Sequence, residues 1–173
     1  MPRAWQVLLA AVAADVAIAT AVEHAERWTV FRAAREAADR LGLPLLNFGC
    51  GTLRPYVDLS DVNADVVPRR VPNFVLVGRG GRLPLRDRSV VTFCSHVLEH
   101  VERPEEVLAE LRRVSVALYV VLPKWWNVSA WLHPGHRRVY VGGLSVEGPQ
   151  SIAGPLLAGA LLLALGFSGG QAP

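Results

Sequence analysis

The stretch LPLLNFGCGT, residues 43–52, decides the prediction of the fold. It is a short apolar run that ends in two glycines around a cysteine, and a run of this length indicates a buried parallel strand, here over residues 45–48, rather than a helix. Gly49 and Gly51 allow a sharp backbone turn and close approach of a ligand, because neither has a Cβ atom. The stretch therefore predicts a nucleotide-binding loop or, as the alternative, an ordinary strand-to-loop turn.

Length and composition limit the class of protein. A chain of 173 residues can build one domain with a substantial core. Hydrophobic residues make up 51% of it and concentrate at the two ends. The net charge is only +3 and the basic residues are scattered, so a nucleic-acid interface is unsupported. Cys50 and Cys94 have neither CxxC nor zinc spacing, which indicates buried free thiols in a reducing, cytoplasmic compartment.

The N-terminal segment is predicted to be helical. Residues 4–22 are long enough to span a bilayer but are mostly alanine and contain Asp15. Three interpretations stay open: a helix that packs on protein or a membrane surface, a membrane-spanning helix, and a signal peptide. From Glu23 to Arg40, opposite charges recur at three- and four-residue spacings, as on a solvated helical face. We expect an N-terminal helical extension over residues 1–42.

Four further strands are predicted, over residues 61–67, 73–78, 90–95 and 116–123. The last of them is wholly apolar, as expected of a central parallel strand. A helix should begin at Pro104, because acids follow in its first turn and arginines stand in its last. Strands alternating with helices predict an α/β domain over residues 43–146, with a Rossmann-like, mostly parallel sheet and helices on both faces.

An acid at the end of the second predicted strand has a potential binding role. In βαβ nucleotide folds, a carboxylate at this position accepts hydrogen bonds from ribose hydroxyls. Asp65 fits, although it follows Gly49 by sixteen residues, so the helix between the first two strands must be short or missing. Asp58 and Asp61 compete for this role, and all three acids could instead be turn residues.

The last third of the chain is less regular. Residues 124–140 contain three tryptophans and two histidines in a loop-like stretch, which predicts either the lip of a pocket beside the fifth strand or the edge of a core. Residues 151–168 carry no charge, and a membrane-associated tail or a buried helix would both explain them. We assign residues 147–173 to an apolar C-terminal tail.

Four ordered segments together resemble class I S-adenosylmethionine-dependent methyltransferases, and more narrowly the type 11 group with its archaeal members: LLNFGCGT, NADVV, LPLRDRSV and SHVLEH. The likeness covers residues 44–140. It implies S-adenosylmethionine as cofactor and methyl transfer to an acceptor that the sequence does not identify. Small molecules, lipids, proteins and RNA are all acceptors of enzymes that share this cofactor half. The oligomeric state is likewise left open.

The resemblance also implies roles for individual residues. Gly49 and Gly51 would lie against the methionine part of the cofactor, Asp65 would bind the ribose, and Ser95 and His96 would border the methyl donor. The whole implied cofactor-binding set is Asn47, Gly49, Gly51, Asp65, Gly78, Leu83, Ser95 and His96. A base is needed only when the acceptor loses a proton. Histidine suits that task at neutral pH, and the candidates are His96, His100 and His136, with Glu99 and His133 as further ones.

The chain departs from the group in several places, and two of them bear on its function. Residues 78–81, GRGG, stand where relatives carry an acid that holds the adenine amino group. No sixth or seventh strand is recognisable, which predicts a C-terminally truncated sheet. The alternative function is therefore a non-catalytic, methyltransferase-like protein that associates with a membrane or binds a partner, which would also explain both apolar ends.

Residues 96–100, HVLEH, also match the HxxEH pattern of inverted zinc proteases. That site needs a further acidic ligand downstream, and beyond the adjacent helix only Glu147 could supply it. We therefore expect no metal site.

Overall fold

A computed structural model describes residues 3–78, 81–141 and 144–147. The chain divides into two units, Met1–Ala21 with Pro123–Pro173 and Val22–Leu122, and each is described by itself. The tail predicted over residues 151–168 lies outside the described residues. The predicted division into residues 1–42, 43–146 and 147–173 stays a prediction.

The first helix, α1 (Ala4–Leu41), confirms the N-terminal helical extension. It ends where Gly42 takes the left-handed conformation with φ of 64°. The Leu43 N–H then donates a hydrogen bond of 3.0 Å to the carbonyl of Ala38, which satisfies one of the last carbonyls of the helix. Glycine and the following proline therefore end the helix as the sequence predicts.

Five parallel strands form the sheet of the unit Val22–Leu122: β1 (Leu45–Phe48), β2 (Val62–Asp65), β3 (Phe74–Leu76), β4 (Val90–Ser95) and β5 (Ser115–Val121). Their order is β3-β2-β1-β4-β5, and every neighbouring pair is parallel. The chain adds β2 and β3 on one side of β1 and then β4 and β5 on the other side, so the strand order reverses between β1 and β4. Open α/β sheets bind ligands at this point. The predicted Rossmann-like fold is confirmed.

The sheet is built from the runs that the sequence marked as strands, with shorter bounds for β2 and β3. The prediction that residues 116–123 form a central strand is wrong, because β5 is the edge strand of the sheet among the described residues. Its five middle residues are accordingly half-buried rather than buried. Between β1 and β2 the described chain forms turns, which agrees with the short or missing helix.

One helix, α2 (Pro104–Val114), connects β4 to β5. It begins at Pro104, has Glu105 and Glu106 in its first turn, and buries Leu111 and Val114. Proline at the start, acids in the first turn and arginines in the last suit the helix dipole. The predicted start of this helix is confirmed.

The core lies between the second part of α1 and one face of the sheet. Phe31 is the centre of an aromatic cluster, with ring centroids 5.0 Å from Tyr56 and 5.2 Å from Phe93, both edge to face. Buried alanines of α1 allow the helix to approach the sheet closely. The buried members of the core are Phe31, Ala34, Ala37, Ala38, Leu45, Tyr56, Val91, Phe93 and Val121.

The described part of the other unit contains more structure than the sequence led us to expect. The stretch interpreted as a loop includes a helix, α3 (Val128–Leu132), and a strand, β6 (Arg138–Val141), which pairs antiparallel with β7 (Leu144–Glu147). The sequence signal for a hairpin is present, since RVYV and LSVE flank two glycines. At the start of α3, the Val128 N–H donates a 3.1 Å hydrogen bond to Asp15 of the same unit.

Candidate functional site

A cavity of about 570 Å³ lies at the carboxyl edge of the sheet, next to the point between β1 and β4 where the strand order reverses. Its volume falls within the range of small-molecule sites. The lining comes from the ends of β1, β2 and β3, from the turn after β4 and from the first residues of α2. These residues are Phe48, Gly49, Asp65, Val66, Val67, Val77, Gly78, Gly81, Val97, Val101, Glu102, Arg103, Glu106 and Val107.

Gly49 holds the position at which β1 ends and the cavity begins. Its φ is 69°, a conformation that side chains rarely allow. A Cβ atom there would lie 2.1 Å from Cγ2 of Val97, so glycine is also required by packing. The N–H groups of Gly49 and Cys50 both donate to the carbonyl of Ala64, at 2.7 and 3.1 Å, and tie the loop to β2.

Gly51 connects this loop to the predicted ribose-binding acid. Its φ is 53°, and its N–H donates a 3.1 Å hydrogen bond to Oδ2 of Asp65. Arg69 Nε also donates to Oδ2 at 3.2 Å, while the Val67 N–H donates to Oδ1 at 3.0 Å. A carboxylate has about four acceptor positions. Three are used here, so Asp65 offers one position on Oδ1 to a ligand while Arg69 stays in place.

The three competing acids lie in different places. Among the residues that line the cavity, only Asp65 comes from this group. Asp58 pairs with Arg54 at 2.9 Å. Asp61 instead accepts the Leu45 N–H at 2.7 Å and pairs with Arg35 at 2.6 Å, which anchors α1 to the beginning of β1.

Two of the predicted cofactor contacts have other roles in the structure and do not line the cavity. Asn47 is buried within the sheet, where its amide donates a 3.2 Å hydrogen bond to Asn63 of β2. Leu83 is also buried, and its N–H donates to Glu110 of α2 at 2.7 Å. Both contacts hold elements of the sheet unit together, so these residues support the cavity rather than form its surface.

The third strand ends at the cavity with valine and glycine. Val77 is buried and Gly78 follows it, while residues 79 and 80 lie outside the described residues. No atom would lie within 4 Å of a Cβ added to Gly78, so the backbone is open there. On the neighbouring strand end, Val66 and Val67 are exposed and line the same cavity. An apolar surface suited to a flat ring therefore surrounds the end of β2.

Ser95 and His96 lie at the end of β4, as predicted, but neither lines the cavity described above. His96 has a positive φ of 54° and its N–H donates to the carbonyl of Val121 at 2.9 Å, which fixes the turn against β5. Residues 98–100 then form a turn rather than the helix on which an HxxEH zinc protease carries its ligands. The protease interpretation therefore lacks its structural context.

Glu99 is the most unusual ionisable group of this turn. Its side chain is only 1% exposed, and burial raises the pKa of its carboxyl to about 7, against the smaller opposing effects of its own backbone N–H and of Arg27. Oε1 lies 3.8 Å from Nδ1 of His96 and 3.8 Å from Nε2 of His100. The sequence prediction included Glu99 among the candidate bases, but nothing in the pattern indicated that it would be buried.

His136, the third candidate base, belongs to the other unit. It is buried, and its Nδ1 lies 2.8 Å from the carbonyl of Ala130. The ring of His133 is close by, with centroids 4.5 Å apart. The role of the tryptophan-containing stretch as a pocket lip stays a prediction.

The two cysteines are buried and free, as predicted. Burial raises the pKa of the Cys50 thiol to about 11, and the charge of Asp65 adds to this effect. Burial also raises the pKa of Cys94, which lies inside β4. Both thiols are therefore protonated at neutral pH and unsuited to act as nucleophiles.

The sheet unit has a Rossmann-like fold, and its cavity lies where β1 and β4 diverge. Within it, residues 46–116 match the family model of the type 11 methyltransferase domain. This match is consistent with a class I S-adenosylmethionine-dependent methyltransferase. The chain matches no curated protein and no solved structure.

Proposed function

We propose that the protein transfers a methyl group from S-adenosylmethionine to an acceptor. The observation that carries the proposal is the cavity itself, since it lies at the β1–β4 divergence of a methyltransferase domain and contains Gly49 and Asp65. These are two of the positions at which the sequence resemblance implies cofactor contacts. The acceptor is not identified by these features.

The residues present fit the cofactor in most respects. Asp65 has one acceptor position left for a ribose hydroxyl, and a second would become available if Arg69 moved away from Oδ2. Val66, Val67 and Val77 offer apolar surface for the adenine ring. The acid that relatives carry after β3 is missing, but Glu102 and Glu106 line the same cavity. We propose that one of these carboxylates accepts the adenine amino group instead.

Bound S-adenosylmethionine supplies an electrophilic sulfonium methyl group, so the protein is left with binding, orientation and exclusion of water. The valines around the cavity supply an apolar wall, and Gly49 allows the main chain to approach. If the acceptor carries a proton, His96 and His100 are the candidate bases on the turn after β4, and His136 is the candidate in the other unit. Their participation is part of this proposal.

The test is calorimetric titration of the purified protein with S-adenosylmethionine. Replacing Asp65 with Asn keeps the shape of the side chain and removes the charge, so we expect affinity to fall by about 10- to 100-fold. Asp58→Asn is the matched control, because Asp58 pairs with Arg54 and does not line the cavity. Absence of binding by folded wild-type protein, or equal losses in both variants, would contradict the proposal.

The alternative function rests on the first part of α1. By length and composition alone, α1 is the one helix among the described residues that could cross a membrane; signal sequences and core helices pass the same test. Val7 and Leu8 are both more than half exposed, and consecutive helical residues face different directions. This helix surface would therefore suit a bilayer or an apolar protein partner.

We propose that residues 4–21 hold a cytoplasmic methyltransferase at a membrane. Non-catalytic membrane or partner binding is the second candidate. Flotation with phospholipid vesicles, run beside the calorimetric titration, separates the two. Flotation with cofactor binding supports a membrane-associated enzyme, and flotation without it supports the non-catalytic alternative. Binding without flotation removes the membrane from the proposal.

A further inference from the structure

The carboxylate of Asp65 is largely occupied by the protein itself. Its side chain is 10% exposed, and the Gly51 N–H and Arg69 Nε both donate to Oδ2, at 3.1 and 3.2 Å. The Val67 N–H donates to Oδ1 at 3.0 Å. Because each carboxylate oxygen has about two acceptor positions, Oδ2 is full and Oδ1 keeps one position for a ligand.

The three donors differ in their freedom to withdraw from Asp65. The N–H groups of Gly51 and Val67 belong to the main chain, and the loop that contains Gly51 is tied to β2 through the carbonyl of Ala64. The Arg69 guanidinium stands instead at the end of a long side chain that is 34% exposed. Rotation of that side chain exchanges Asp65 for water without any movement of the main chain. Arg69 is therefore the one of these three donors that a ligand is able to replace.

Arg69 lies beside the cavity rather than within its lining. Asp65 lines the cavity, whereas Gly51 and Arg69, the two donors to Oδ2, do not. Burial and then the charge of Asp65 raise the pKa of the Cys50 thiol to about 11, and the charge of Arg69 partly opposes them. The guanidinium therefore lies near the glycine loop as well as against Asp65. A ligand held by both carboxylate oxygens has to extend the cavity at this point.

A ribose ring competes directly with Arg69 for Asp65. Its two adjacent hydroxyl groups are two donors, and a carboxylate accepts one on each oxygen when each oxygen has an open acceptor position. While Arg69 is bound, Asp65 accepts only one of them. Binding of the second hydroxyl requires the guanidinium to leave Oδ2, and the loss of that ion pair weakens the apparent affinity for the ligand.

We propose that Arg69 competes with one ligand hydroxyl for Oδ2 of Asp65, and so lowers both the affinity of the cavity for ribonucleosides and its selectivity for an intact vicinal diol. The inference rests on the proposed binding of a ribose by Asp65. Arg69 acts through Asp65 and touches neither the ligand nor the reacting atoms, so it is a specificity-determining residue and not a catalytic one.

Calorimetric titration of the full chain with S-adenosylhomocysteine tests the proposal, because this ligand carries the ribose without the sulfonium charge. Arg69→Met keeps an unbranched side chain and removes the guanidinium. We expect its Kd to fall by roughly three- to tenfold, between the effects of an exposed ion pair and of a hydrogen bond to a charged group. Arg70→Met is the matched control, since it removes the same charge from an exposed neighbour and should change the Kd by less than about twofold.

A second readout separates competition at Asp65 from a general effect on structure. Adenosine, 2′-deoxyadenosine and 3′-deoxyadenosine are compared as competitors of S-adenosylhomocysteine. In the wild type, Arg69 returns to Oδ2 when the hydroxyl bound there is missing, so the deoxynucleoside loses little affinity. In Arg69→Met no guanidinium returns. The ratio of Kd values for that deoxynucleoside and adenosine should therefore rise by roughly three- to tenfold over the wild-type ratio.

The outcomes distinguish this proposal from the proposed function. If neither folded wild type nor folded Arg69→Met binds S-adenosylhomocysteine, the ribose site and the role of Arg69 are overturned together. If the wild type binds and Arg69→Met binds equally or more weakly, only the role of Arg69 is overturned. Binding by Arg69→Met alone would support competition in its strongest form. Circular dichroism and urea unfolding establish that each variant is folded, and Arg69→Ala carries the test if the methionine variant does not fold.

Discussion

The first part of α1, residues 4–21, is more apolar than the part from Val22 onward, yet its side chains are more exposed. Residues 4–21 contain a single charged group, Asp15, yet most of their side chains are exposed. From Val22 onward the helix carries many charges, yet it supplies Phe31, Ala34 and Ala38 to the core. Mean hydropathy would therefore assign the buried and exposed parts of this helix the wrong way round.

The difference shows that spacing, not average composition, decides which part of a helix packs. Trp28, Phe31, Ala34 and Ala38 recur at three- and four-residue intervals and so lie along one side. Tyr56 and Phe93 complete an aromatic cluster with the first two. In residues 4–21 the apolar side chains are distributed all round the helix, so no single side is marked for the sheet.

The comparison predicts a large loss of stability when the packed part is truncated. Phe31→Ala should lower the free energy of unfolding by about 3–5 kcal/mol, because it opens a cavity among close-packed aromatic rings. Leu8→Ala, in the same helix at a site 63% exposed, should change it by less than about 0.5 kcal/mol. Urea unfolding followed by tryptophan fluorescence measures both. Similar losses from the two variants would show that the exposed part is packed as well.

A smaller free-energy change, in membrane partitioning, is expected when the exposed part of α1 is made polar. If residues 4–21 associate with lipid, Leu8→Asp should weaken partitioning into phospholipid vesicles by about 2 kcal/mol, roughly 30-fold, and leave the unfolding free energy nearly unchanged. Ala25→Asp, at an exposed site in the charged part of α1, is the control. Unchanged partitioning in Leu8→Asp would exclude this segment as the membrane contact.

The contrast between local spacing and average composition also explains which features of the fold could be predicted from the sequence. The five strands and the start of α2 were predictable, because short apolar runs, glycines and prolines are local signals. The position of β5 at the edge of the sheet was not, because an apolar run does not reveal how many strands will follow it. The hairpin of β6 and β7 was missed, although RVYV and LSVE flank two glycines in the sequence.

The candidate site was predictable in part. Gly49 and Asp65 line the cavity and were marked by the glycine loop and by the acid at the end of a strand, and Gly78, which also lines it, was implied only by the family resemblance. Val97 and Val107 were not, because a valine in a turn or helix has no pattern that separates a cavity wall from a core. Glu99 was recognisable as a candidate base, whereas its burial depends on α1, which is distant in sequence.

The smallest expected change in stability concerns the contact between the charged part of α1 and Asp61. Burial raises the pKa of Asp61, but the Leu45 N–H and the Arg35 guanidinium lower it by more. The pKa of Asp61 in the folded protein therefore lies below its ordinary value. A lowered carboxyl pKa contributes stability above the ordinary value of about 3.8, and that stability is lost as the pH falls through the lowered value. The wild-type protein should therefore lose stability at acid pH partly through Asp61.

Asp61→Asn isolates this contribution, because the amide oxygen can still accept the Leu45 N–H while the charge is removed. The side chain is 46% exposed, so we expect a loss below about 1 kcal/mol at pH 7 that disappears toward pH 3. Asp58→Asn, whose partner Arg54 is 72% exposed, is the control for removing an aspartate charge that does not contact β1. Urea unfolding between pH 3 and pH 7 measures both, and parallel curves would mean that Asp61 does not anchor the charged part of α1 to β1 through its charge.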